Sequence, residues 1–133
     1  MKTERDGMPS ISPAVVLVAD DEEPIAQALA MIIEEYGYAV VVATNGREAL
    51  ELARARRPAL VITDLMMPFM GGAELIAALR ADAARDGHLA PPVVLMSAAG
   101  NRFMEPAGAD DLLPKPFDMR QIEALLARYL PQP

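Results

Sequence analysis

From residue 14 onward the chain alternates short, continuously apolar runs with longer stretches whose apolar residues recur every three or four positions. The runs at 14–19, 38–43, 60–63, 93–97 and 112–113 read as strands, being short and largely β-branched or aliphatic. Unbroken apolarity of this kind marks strands covered on both faces. Between them lie four helical periods. Residues 23–36 place Ile25, Leu29, Ile32 and Ile33 on one face, with Pro24 in the first turn and Gly37 where a C-cap belongs. Residues 47–56 follow the Asn45-Gly46 turn signal and stop before Pro58. Residues 73–84 face Leu75, Ile76 and Leu79 inward, and residues 118–130 face Ile122, Leu125, Leu126 and Tyr129 inward. The 85–92 stretch reads as a surface connection, and 98–111 carries no clear period. Residues 1–13 read as a flexible leader, 14–130 as one domain, and 131–133 as a C-terminal end.

Strands alternating with helices imply an α/β fold, a doubly wound five-stranded parallel sheet with helices on both faces. Such sheets bind ligands outside the carboxyl ends of their strands. Three polar stretches fall at those ends: Ala19-Asp20-Asp21-Glu22, Ile62-Thr63-Asp64-Leu65-Met66-Met67-Pro68 and Leu113-Pro114-Lys115-Pro116-Phe117. Side by side, they gather three carboxylates and one ammonium in a single crevice. Clustered carboxylates repel one another and invite a divalent cation. A lysine beside them invites an anionic group such as a phosphoryl. The pattern points to metal-assisted phosphoryl chemistry on an aspartate.

Composition narrows the alternatives. With 133 residues, the chain has the size of one domain. Its net charge of −7 argues against holding nucleic acid by phosphate neutralisation, which needs a basic face. There is no cysteine, so disulfides and thiolate metal sites are excluded. No apolar run reaches the ~18 residues of a membrane span, and no signal peptide is evident, so a cytoplasmic location is expected. Met66, Met67 and Met70 read as gap-filling core residues, and His88 as an exposed loop residue. Gly-Lys-Ser/Thr and Gly-x-Gly-x-x-Gly signatures are absent.

Asp20-Asp21, Asp64 through Pro68, Ser97-Ala98 and Lys115-Pro116-Phe117 together resemble the receiver domain of two-component response regulators, of the chemotaxis-regulator type, over about residues 14–130. The resemblance implies a flavodoxin-like sheet of order 2-1-3-4-5. It makes Asp64 the phosphoacceptor. Asp20, Asp21, Asp64 and the backbone carbonyl of Met66 would hold Mg²⁺. Lys115 would pair with Asp64 and then with the phosphoryl oxygens, Ser97 would donate its hydroxyl to them, and Ala98 would leave room for them. A cis Lys115–Pro116 peptide would turn the lysine inward. A sensor histidine kinase or phosphotransfer protein would be the donor, and a downstream protein the target, with no nucleic acid and no membrane as partner. The chain would be a signalling phosphoacceptor and not an enzyme. As it stands it carries no output domain after the last helix, unless its Pro-Gln-Pro end is a linker in a longer regulator or hybrid kinase.

Two features depart from the family, and two further positions bear on lifetime. Leu112 stands where the family usually has Tyr or Phe, three residues before the lysine, so the switch pair would be Ser97 and Leu112. The stretch from Ser97 to Lys115 is about four residues short, roughly one helical turn, which implies a shortened or irregular fourth-helix region. Met66 and Ala99, each two residues past a site residue, are apolar and cannot orient a water, which implies slow self-dephosphorylation. The alternative function is a pseudo-receiver, a phosphorylation-independent protein-binding module. A phosphatase of the haloacid dehalogenase type would want a second aspartate where Met66 stands.

Overall fold

The computed structural model describes residues 13–98 and 108–132. The expectations for the leader at 1–12, for most of the 98–111 stretch with its fourth-helix region, and for Ala99 and Pro133 lie outside the described residues.

Among the described residues, five strands and four helices alternate as far as β4. They are β1 (Val15–Ala19), α1 (Glu23–Glu35), β2 (Ala39–Ala43), α2 (Gly46–Arg56), β3 (Leu60–Asp64), α3 (Gly72–Asp86), β4 (Val93–Ser97), β5 (Asp111–Pro114) and α4 (Met119–Tyr129). All strand pairs are parallel, in the order β2-β1-β3-β4-β5.

Period-2 alternation sorts the strand residues into two layers. Val16, Val18, Leu60, Ile62, Val94 and Met96 pack with Leu29 and Ile33 of α1 and Ile122, Leu125 and Leu126 of α4. Leu17, Ala19, Val61, Val93 and Leu95 pack on the other face with Ala49 and Leu50 of α2 and Leu75, Ile76 and Leu79 of α3. The sheet is therefore apolar on both faces, which explains its unbroken apolar runs.

Helix ends follow local chemistry. The Asn45 side chain accepts a hydrogen bond from the Glu48 N–H at 2.8 Å, and Asp118 and Gln121 form a reciprocal capping box. Helix α3 runs on to Asp86, past the 84 read from periodicity, and stops at Gly87 with φ of 72°. The left-handed glycine, rather than the fading of the apolar pattern, sets that end.

One reading of the methionines is corrected. Met67 and Met70 are half-buried against the second layer, but Met66 is 76% exposed and fills no core gap. It sits in the loop after β3, where neither strand nor helix period fixes which way a side chain faces. His88 is exposed, as read.

Candidate functional site

The strand register brings the sequence-predicted residues to one level. Ala19 pairs with Thr63, Asp64 with Met96, and Ser97 with Pro114. Asp20, Asp64, Ser97 and Lys115 are therefore each the last residue of a strand or the first beyond it. Backbone bonds hold this edge: Asp20 N–H donates to the Ala43 carbonyl at 3.0 Å, and Lys115 N–H to the Ser97 carbonyl at 3.2 Å. The Lys115–Pro116 peptide is cis.

Lys115 Nζ donates to Asp20 Oδ2 at 2.9 Å, and stands 3.4 Å from Asp64 Oδ1 and 3.5 Å from Glu22 Oε1. Asp20 is fully buried, and its other oxygen, Oδ1, accepts the Glu22 N–H at 2.9 Å. Asp64 Oδ1 accepts the Leu65 N–H at 3.0 Å. A fully buried carboxylate requires partners for both oxygens, and Asp20 has them. Asp21 lies exposed at the rim, and Ser97 is buried at the end of β4.

One carboxylate oxygen from each of Asp20, Asp21 and Asp64 lies within 4.8 Å of the others. An octahedral Mg²⁺ holds oxygens at about 2.1 Å, which places opposite ligands about 4.2 Å apart. The all-oxygen donor set suits such an ion. The electrostatics agree. Burial pushes the Asp64 carboxyl above its usual range, and the neighbouring Asp20 charge adds to this against the pull of Lys115. Burial alone would lower Lys115, but the hydrogen bond to Asp20 and the charges of Asp64 and Asp20 outweigh it and hold the ammonium protonated.

The loop between β3 and α3 is pinned at both ends. Gly46 N–H donates to the Met70 carbonyl at 2.9 Å, and a Cβ at Gly46 would sit 2.1 Å from that oxygen. Gly72 N–H donates to the Leu65 carbonyl at 2.8 Å, and a Cβ there would sit 2.4 Å from the Asp64 carbonyl oxygen. These two glycines were not singled out in the sequence, although Gly46 lies in a turn signal and Gly71-Gly72 opens a helix. Leu112 is half-buried in the second layer on β5.

A cluster away from the crevice escaped sequence reading. Asp82 of α3 receives two hydrogen bonds from the Arg54 guanidinium of α2, at 2.8 and 3.1 Å, and an ion pair from Arg85 at 3.1 Å.

The family model for the response regulator receiver domain matches residues 16–127. The chain is 35% identical over 119 residues to the alkaline phosphatase synthesis transcriptional regulatory protein PhoP of Bacillus subtilis, covering 86% of the chain and 48% of that protein. It is 37% identical over 126 residues to the response regulator MprA of Mycolicibacterium vanbaalenii, covering 90% and 53%. The chain thus spans about half the length of these curated relatives. Among solved structures, the chemotaxis response regulator CheY4 of Vibrio cholerae is 30% identical with a TM-score of 0.76, covering 90% of this chain and all of that one. Among the described residues, no helix is long and apolar enough to cross a membrane.

Proposed function

Because the chain belongs to the response regulator receiver family, we propose that it takes a phosphoryl group onto Asp64 from a phosphohistidine on a sensor histidine kinase or phosphotransfer protein. An Asp64 carboxylate oxygen attacks phosphorus, a P–O bond forms, the P–N bond breaks, and its electron pair stays with the departing imidazole. Asp20, Asp21, Asp64 and the Met66 backbone carbonyl would hold Mg²⁺. The bound ion supplies positive charge that offsets the phosphoryl oxygens and the acid cluster. Lys115 stabilises the carboxylate before transfer and the phosphoryl oxygens after it, and the Ser97 hydroxyl donates to the same oxygens. Ala98, being small, leaves the entry open. We place the chain in the cytoplasm, as a signalling carrier whose output passes through protein contacts. The expectation of no nucleic-acid partner rests on the charge of these residues alone.

The observation that carries this reading is one ammonium within 3.4 Å of two carboxylates supplied by different strands, beside a third acid. Incubation with Mg²⁺ and acetyl phosphate is expected to add one phosphoryl mass to the chain and none to Asp64→Asn. No mass gain in the parent chain, or an equal gain in the variant, overturns it. Leu112 favours a second reading, the pseudo-receiver, because an aliphatic side chain in the second layer stands where the family's switching ring would be. The same experiment separates the two.

A further inference from the structure

We propose that a cavity at the pole opposite the crevice binds a small organic monoanion, a single-ring or short branched carboxylate, gripped by Arg57. The cavity lies between the C-terminal parts of α2 and α3 and the connections that lead into β3 and β4. Those strands begin there and end at the crevice, so the two sites are separate. Its volume is about 130 Å³, close to the ~150 Å³ of an engineered apolar cavity that takes up benzene. Ala53, Pro58 and Leu79 line it and are buried, which gives it an apolar floor. A ring or a short branched chain fills such a space, and a nucleotide does not fit.

The rim is polar, and its charges do not cancel. Asp82 takes the Arg54 fork at 2.8 and 3.1 Å, and Asp86 takes the Arg85 fork at 3.0 and 3.2 Å. Arg57 also lines the cavity, yet it forms no ion pair or side-chain hydrogen bond with any described residue. Three guanidiniums against two carboxylates leave one positive charge over, in a chain of net charge −7. His88 Nδ1–H donates to the Leu89 carbonyl at 3.0 Å, so the neutral ring adds nothing to this sum. A surplus of one selects a monoanion. A dianion such as phosphate would set an unmatched charge beside Asp82 and Asp86.

Local structure does not account for arginine at position 57. It caps α2 in left-handed backbone, with φ of 47°, where glycine or asparagine is less strained. A basic residue complements the negative end of a helix, but Arg54 and Arg56 already occupy the last turn of α2. What remains is an open guanidinium fork beside an apolar hollow. Such a fork pairs with a carboxylate through two parallel hydrogen bonds, while the body of the ligand covers Leu79 and Pro58.

Benzoate is the probe, titrated into the full chain while backbone amide shifts are followed by NMR. Saturable shifts are expected on both walls, at residues 53–58 and 82–91, with a Kd on the order of a millimolar or tighter, as for other ligands of this size. Benzamide, of the same shape without the charge, is expected to bind about tenfold more weakly or worse, because one lost charge-assisted pair costs at least that much. Arg57→Asn is expected to weaken benzoate by a similar factor, and Arg57→Lys to keep part of the affinity. Melting of Arg57→Asn at or above the parent value shows an intact fold, since asparagine tolerates the left-handed backbone. Absence of saturation overturns the site, as do shifts confined to the crevice around Lys115. Equal binding of benzoate to the parent and Arg57→Asn, or of benzamide and benzoate to the parent, leaves an apolar hollow without an anion grip and overturns it too. If benzoate fails and the peptide acetyl-Leu-Glu-Leu-Glu-amide saturates the same amides, the occupant is a protein segment and the small-ligand assignment falls.

Discussion

At the scale of single residues the crevice is a balance of charges in which, among the described residues, Lys115 is the one cation paired with these acids. It touches Asp20, Asp64 and Glu22 together, but one ammonium does not neutralise three carboxylates. Removing one acid should therefore relieve repulsion when no metal is present. Asp64→Asn is expected to melt a few degrees above the parent chain in chelator. Millimolar Mg²⁺ should reverse the order, because an ion present at 10–100 times its Kd stabilises a fold by about 1–3 kcal/mol, and the variant lacks one ligand. Calorimetry with and without Mg²⁺ checks this, and an order that does not cross over contradicts the metal assignment. These acids and the lysine were legible from sequence because each is covalently next to a strand, and strand ends are fixed once the sheet is parallel. The exposure of Met66 was not, since loop residues have no period to give their facing.

Among elements, the helices α2 and α3 are joined by more than their apolar faces. Asp82 sits almost buried between Arg54 and Arg85. The Arg54 hydrogen bonds, opposed by partial burial and aided by the arginine charges, hold its carboxyl below its ordinary range. A lowered native value means stability that is present above the unfolded value and lost as pH falls through the folded one. Asp82→Asn is thus expected to melt a few degrees below the parent at pH 7. The gap should close as pH drops below about 4. Melting curves between pH 7 and 3 check it, and a constant gap would assign the loss to packing instead. This pair was invisible in the sequence because its partners lie 28 positions apart on different helices. Helix periodicity reports which face is apolar, not which charges meet across a seam. The helices themselves were legible to within two residues at each end, since Pro24, the Asn45-Gly46 turn and Pro58 punctuate them as they do in isolated sequence patterns.

In the whole molecule, the crevice exists only while the sheet does. Its acids and lysine come from β1, β3 and β5, with Lys115 and Asp20 separated by 95 positions, and no single element contains the site. The two core layers share every central strand, so loss of either strips the sheet that aligns these ends. A ligand binding there should therefore stabilise the entire fold and not a local lobe. The far end of the molecule offers a probe. Tyr38, whose hydroxyl donates to the Pro131 carbonyl at 2.8 Å, lies at the start of β2, opposite the strand ends that form the crevice. The chain has three tyrosines and no tryptophan, so tyrosine fluorescence monitors regions outside the site. In urea, Mg²⁺ is expected to shift the unfolding midpoint upward by the same increment in fluorescence and in far-ultraviolet circular dichroism, with the slope m unchanged. If the circular dichroism midpoint moves while fluorescence stays put, the strand ends are held by a local unit. The parallel sheet would then not be the device that couples Lys115 to Asp64.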